Sequence, residues 1–333
     1  MNGIKKLYLE FIITRFNNSL INTIITISMK KKILVIIGGR GIGDLIYHLP
    51  LLRSLYETYG QKIIILSNKV NKASEVFKNE NFHKKIISFD NNRYNLIKTL
   101  KKIINLKNKI NILRLNQVIL TSNTKRLVFP VLLSNVKEKK IMGAGTFYFD
   151  KNTSNNHLTV SEKIIKFTNS LNLNKKNNNF FLNTNKTKNK ISKDKNIFIN
   201  IDSHHDQNNW DIDNFILIIL KLMSKHKIFI NFSPSKKYLL KLFPKIILNS
   251  NRIIFTYKRK ISEIIKIINT CNTVIGNESG PICLAASLKK KVHALYIPKH
   301  TKPESSIINP NNNYYNVDKL SSKKIINKIL NSI

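Results

Sequence analysis

Three stretches of this chain gather residue types that do chemistry. The first is Gly38-Gly39-Arg40-Gly41-Ile42-Gly43-Asp44, directly behind the apolar run Ile33–Ile37. A glycine-rich turn after a buried strand lets another molecule approach the backbone, and here it sets one carboxylate at the mouth. Asp44 at that place can take a proton from an alcohol as general base, or it can simply cap the helix that follows; spacing alone leaves both readings open. The loop is not a dinucleotide fingerprint, because Asp44 stands three after Gly41 where the last glycine belongs. Nor is it a Walker A loop, because Asp44 replaces the lysine and would repel a phosphate. Ser67 and Asn68 close the second expected strand in place of a ribose-binding acid.

The second stretch is Gly276-Asn277-Glu278-Ser279-Gly280-Pro281-Ile282-Cys283, leading into Leu284-Ala285-Ala286-Ser287. It reads as a strand, a tight turn and a helix of small residues, with proline in the first turn. Exposed amides at a helix start suit a diphosphate, although an ordinary strand-to-helix turn has the same pattern. The third is Asp202-Ser203-His204-His205-Asp206-Gln207-Asn208-Asn209-Trp210. Adjacent histidines in a loop point apart, so a polar loop over a ligand is favoured over a metal site, and no metal is expected. No GxSxG or HExxH motif is present.

The elements that must position these residues alternate regularly. Strands are expected at Ile33–Ile37, 62–66, 85–89, Gln117–Leu120 and 140–142. Helices are expected at 44–59, 70–78, 94–106, 126–133 and 157–171. A polar stretch at 173–195, rich in Asn, Lys and Thr, reads as a linker. Alternation then resumes, with strands at 196–201, 227–231, 252–255, 273–275 and 292–296. The matching helices are 213–224, 236–243, Ile261–Thr270, 281–288 and 321–330. This order means an α/β protein with two parallel-sheet domains, at 29–172 and 196–333, and a cleft at the carboxyl ends of the strands. Residues 1–28 read as an upstream extension before Met29, with a basic amphipathic helix on a membrane as the alternative.

Composition narrows the function further. The chain has 333 residues, 42% hydrophobic and 23% charged, which excludes a disordered or collagen-like protein. No apolar run is long enough to span a bilayer. The formal charge is +39, from 57 Lys and Arg against 18 Asp and Glu. Such a field fits an anionic partner, but Lys, Asn and Ile crowd the whole chain, and codon composition explains that equally well. Two cysteines without CxxC spacing fit a reducing compartment.

Taken together, the motifs resemble those of the heptosyltransferases, glycosyltransferase family nine. Gly43-Asp44-Leu45-Ile46, followed by Leu49-Pro50-Leu51-Leu52-Arg53-Ser54-Leu55, is similar to that family's amino-terminal signature. Residues 276–287 resemble its carboxy-terminal Asp-Ser-Gly-Pro-x-His-x-Ala-Ala, and Trp210 sits where the family has Lys-x-Trp. The resemblance runs over about residues 30–310. It implies a GT-B fold, two Rossmann-like domains facing across a cleft. It also implies inverting, metal-independent transfer of a heptose from an ADP-sugar or other nucleotide sugar, with no cofactor, to a lipopolysaccharide-core acceptor.

On that reading Asp44 is the catalytic base, and Arg40, Gly41 and Gly43 meet the acceptor. Ser203, Asn209, Glu278, Ser279, Gly280, Pro281 and Cys283 lie on the donor side. The enzyme would be cytoplasmic, with peripheral contact at the inner face of the inner membrane. Three features depart from the pattern: Glu278 replaces Asp, Cys283 replaces His, and Asn208 and Asn209 stand where a phosphate-binding Lys is expected. The competing function is a degenerate, non-catalytic GT-B protein that binds anionic lipid or nucleic acid. No aromatic-interleaved basic patch or helix-turn-helix supports the nucleic acid.

Overall fold

A computed structural model of the chain describes residues 31–90, 96–142, 158–184, 196–203, 209–297, 303 and 305–333. The expected extension at 1–28 and loop residues 204–208 lie outside the described residues.

Five parallel strands form the first sheet: β1 (Ile33–Ile37), β2 (Ile63–Asn68), β3 (His83–Phe89), β4 (Gln117–Leu120) and β5 (Glu138–Ile141), in the order β3-β2-β1-β4-β5. β1 is apolar at every position because both its faces are covered. Ile33, Val35 and Ile37 face α1 (Ile42–Tyr47), α2 (Leu49–Tyr59), α3 (Ala73–Val76) and α6 (Val160–Ser170). Leu34 and Ile36 face α4 (Leu96–Ile112) and α5 (Lys125–Leu132).

The second sheet is also parallel: β6 (Ile197–Asn200), β7 (Ile228–Asn231), β8 (Ile253–Phe255), β9 (Thr273–Asn277), β10 (Lys291–Tyr296) and β11 (Asn313–Asn316), in the order β11-β10-β9-β6-β7-β8. Its helices are α7 (Ile212–Leu222), α8 (Lys245–Leu248), α9 (Ile261–Thr270), α10 (Gly280–Ser287), α11 (Ser305–Ile308) and α12 (Ser322–Leu330). Both sheets reverse winding at one seam, between β1 and β4 and between β6 and β9, which is where open α/β sheets bind ligands. The Gly38–Asp44 loop leaves β1, the Asp202–Trp210 loop leaves β6, and the Glu278–Pro281 turn leaves β9, so all three chemical stretches stand at these seams. One apolar core continues from Val35, Leu51 and Phe82 in the first domain to Phe198, Val274 and Ile282 in the second.

Several elements differ from expectation. The helix expected over 44–59 breaks at His48, because Pro50 cannot continue the ladder of the preceding turn. The helix expected to end at 106 runs to Ile112. Pro234–Leu242 is a 3₁₀ segment, and β11 and α11, short and rich in Asn and Ser, carried no periodic signal. The expected linker is docked in its first half: Leu173, Phe180 and Leu182 are buried in the shared core. Residues 185–195 lie outside the described residues.

That docking depends on Arg53. Its Nη2 donates to both carboxylate oxygens of Glu80 (3.0 and 3.1 Å) and to the Phe181 carbonyl (2.6 Å), and Nη1 donates to the Asn179 carbonyl (2.9 Å). Glu80 also accepts from the backbone and side-chain amides of Asn183 (2.8 and 3.1 Å). Arg53→Ala strands a buried carboxylate and should cost about 3–5 kcal/mol. Urea unfolding checks this; an unchanged midpoint would mean that segment 177–183 is held by its apolar contacts alone.

Candidate functional site

Asp44 is the third residue of α1, whose N-cap is Gly41. Its Oδ2 accepts a hydrogen bond from the Gly41 amide (2.7 Å), so the capping geometry is realised. Capping and base chemistry are compatible, since a carboxylate has about four acceptor positions. The glycines explain how the carboxylate fits: a Cβ on Gly39 would stand 2.1 Å from Asp44 Cγ, so any larger residue would evict it. Arg40 is exposed at the loop tip, Gly41 is exposed and Gly43 is buried.

His48 ties this helix to the sheet. One ring nitrogen is hydrogen-bonded to the Asp44 carbonyl, and Nε2 lies 2.6 Å from the Thr121 hydroxyl at the end of β4. Burial pushes its pKa down to about 4. Burial also holds His293 at about 4, between the Tyr315 and Ser332 hydroxyls.

α10 points its amino terminus at this loop. Ser279 caps it in extended conformation, and the Ser279 hydroxyl accepts from Asn200 Nδ2 (3.0 Å). A Cβ on Gly280 would stand 3.2 Å from Ile42 Cβ, so the two helix starts nearly touch across the domain boundary. Cys283 faces the amino-terminal domain. It is buried, its Sγ lies 3.0 Å from the Tyr47 hydroxyl, and a Cβ on Gly43 would stand 3.4 Å from it. The family's larger imidazole would have to push this seam apart.

Glu278 follows β9 and stands just before the α10 start. Its two oxygens accept from the Ser305 amide (2.8 Å) and hydroxyl (2.5 Å), anchoring α11. Its extra methylene over Asp supplies reach. Ser203 and Asn209 close the loop after β6, the Ser203 amide donating to Asn209 Oδ1 (2.6 Å). Trp210 is buried and follows with its amide on Asn277 Oδ1 (2.9 Å).

Sequence reading missed three features. Lys236, from the 3₁₀ segment after β7, donates to the Ser203 carbonyl (3.1 Å) and lies 3.6 Å from Asp202 Oδ2. It brings to this loop the cation that Asn208 and Asn209 do not supply, from a distant position that no local motif signals. Under the glycine loop, Ser67 Oγ, Asn68 Nδ2 and Asn71 Oδ1 are buried without a hydrogen-bond partner, although Asn71 Nδ2 reaches the Gly39 carbonyl (3.4 Å). Leaving such a group unsatisfied costs about 1–3 kcal/mol. His48 is the third, legible only as a polar residue on an apolar helix face. Among the described residues no group of three or more His, Cys, Asp or Glu is gathered as for a metal.

Residues 149–328 match the sequence profile of glycosyltransferase family 9 (heptosyltransferase). No curated protein sequence matches significantly. Among solved structures, a family 9 glycosyl transferase from Veillonella parvula is 16% identical with a TM-score of 0.69, covering 91% of this chain and 90% of its own. E. coli ADP-heptose lps heptosyltransferase II is 15% identical with a TM-score of 0.64, covering 90% and 98%. E. coli heptosyltransferase WaaC with ADP is 14% identical with a TM-score of 0.68, covering 91% and 100%. At these identities the likeness shows the fold, which is GT-B.

The buried histidines predict a pH dependence. Unfolded histidine takes a proton near 6.5, while His48 and His293 stay neutral in the fold down to about 4. Between these values the unfolded chain binds more protons, so stability is full above about 6.5 and falls as pH drops toward 4. Each should lose about 2 kcal/mol by pH 5. Urea midpoints at pH 7.5 and 5.0 measure it, and His48→Gln should remove its share of the difference. An unaltered difference in that variant would mean that His48 is charged in the fold.

Proposed function

Because the chain belongs to glycosyltransferase family 9, we propose that it transfers a heptose or related sugar from an ADP-sugar, with inversion, to a hydroxyl of a lipopolysaccharide-core or similar surface glycan. The observation that carries this reading is the meeting of two helix starts: Asp44 in the first turn of α1, and the amides of α10 across the seam from Ile42. In the proposed step Asp44 takes the proton of the acceptor hydroxyl. The freed oxygen forms a bond to the anomeric carbon on the face opposite the diphosphate. The bond from that carbon to the phosphate oxygen breaks, and the nucleoside diphosphate leaves with the electron pair.

The charge that develops on the diphosphate is met by Ser279, Gly280 and Pro281 at the α10 start and by the ammonium of Lys236, with Ser203 and Asn209 shaping the same wall. No metal is required in this scheme. Arg40, Gly41 and Gly43, with Ser67, Asn68 and Asn71 beneath them, form the acceptor side. Glu278 and Cys283 lie on the donor side at the same helix start, with Glu278 also holding Ser305. The solved complexes of WaaC with ADP and with ADP-2-deoxy-2-fluoro heptose support an ADP-sugar as donor.

Asp44→Asn is the decisive substitution, because Asn keeps an oxygen to accept from the Gly41 amide and loses only the base. Turnover of ADP-heptose should fall by roughly two to four powers of ten. ADP affinity by calorimetry and the melting temperature should stay near those of the parent. Near-normal turnover would reduce Asp44 to a helix cap and remove the mechanism.

A further inference from the structure

We propose that the outer face of α4 and α5 is a docking surface for a bilayer rich in anionic lipid. Both helices cover the same face of the first sheet and turn the opposite side to solvent. That side should be polar. Instead it carries Ile97, Leu100 and Ile104 on α4, exposed by 66%, 50% and 55%, and Phe129 and Leu132 on α5, exposed by 41% and 38%. Ile112 and Leu133 extend the patch where the helices end side by side, at the bond from the Asn135 amide to Asn111 Oδ1 (2.8 Å). Seven of the fifteen exposed large apolar side chains among the described residues lie on this one surface. Apolar side chains gathered in this number on the solvent face of two adjacent helices mark an interaction site.

Charge selects the occupant. Residues 96–137 contain nine Lys and Arg and no Asp or Glu. On α4, Lys101 and Lys107 flank the stripe of Ile97, Leu100 and Ile104 at helical spacing. This is the pattern of an interfacial amphipathic surface: apolar side chains enter the acyl boundary while lysines meet acidic headgroups. A second copy of the chain would bring a like-charged face against this one, so self-association is disfavoured.

A cavity of about 350 Å³ lies on the other side of α4, between that helix, the start of α5 and the ends of β2 and β3. Lys69, Lys102, Lys109 and Arg126 line it, with Asp90 as the acid, paired to Lys102 at 2.9 Å. Its wall includes Leu127, whose Cδ1 lies 3.2 Å from where a Cβ on Gly38 would stand. The basic cavity therefore borders the Gly38 end of the Asp44 loop. Docking rests on the surface alone. Its consequence, that a lipid-linked hydroxyl rises from the bilayer beside Asp44, rests on the glycosyltransferase reading.

The test is co-sedimentation of the full chain with vesicles of phosphatidylcholine containing 30% phosphatidylglycerol, against pure phosphatidylcholine, at about 0.15 M salt. Ile97→Gln, Leu100→Gln, Ile104→Gln and Phe129→Gln combined leave the charge unchanged. They should weaken partitioning onto the anionic vesicles by about tenfold or more. A control carrying Leu217→Gln, Leu220→Gln, Ile246→Gln and Leu248→Gln, apolar and exposed elsewhere, should bind like the parent. Equal binding by both variants would mean that the overall positive field acts alone, and equal loss in both would remove this face as the site; either overturns the proposal. So would a parent dimer that the patch variant turns into a monomer. A single Phe129→Trp gives a readout that needs no disruption: its emission should shift to the blue on anionic vesicles and stay put without them. An unshifted emission contradicts insertion. None of these readouts involves turnover, so they fail or succeed apart from the role of Asp44.

Discussion

The arrangement depends on one close contact, the start of α10 against the start of α1. Gly280 lies against Ile42, and Cys283 lies against Tyr47 and Gly43, so backbone approaches backbone with little side chain between. Two independently wound sheets are thereby locked seam to seam, and the shared apolar core from Val35 to Val274 spreads that constraint. A carboxylate from one domain and helix amides from the other come together only because this contact is thin. Small residues in α10 are thus a steric requirement of the boundary, and Cys283 is the size of residue that it admits.

The positions that depart from the family pattern then take on a common physical sense. Glu278 is one methylene longer than the usual Asp and spends it on Ser305, which fixes α11 beside the site. Lys236 comes in from another loop toward Ser203, where a nearer lysine is missing. These are changes in how the loops around the α10 start are tied together. They leave intact the α10 start and Asp44.

Much of the frame was legible in the sequence because buried parallel strands carry a strong signal. Ile33–Ile37, Gln117–Leu120 and Ile261–Thr270 fall where apolar runs and helical spacing put them. The seam loops were legible because glycine, proline and an isolated carboxylate stand out. What was illegible depends on distant partners. The break at His48 is set by Pro50 together with the tie to Thr121, and the docking of 173–184 is set by Arg53 and Glu80, far away in the chain. Lys236, Ser67, Asn68 and Asn71 belong to the same class: ordinary polar residues until the fold brings them to a seam. The basic composition, uninformative as a total, gains meaning only where α4 and α5 expose apolar side chains amid it.

In the proposed reaction a single carboxylate, Asp44, drives one direct displacement at a donor held by α10. The anomeric configuration of the product reports on it without reference to any variant. Proton NMR of the glycan formed from an ADP-heptose of known configuration should show the opposite configuration at the new linkage. A product that keeps the donor's configuration would contradict a single displacement with Asp44 as base.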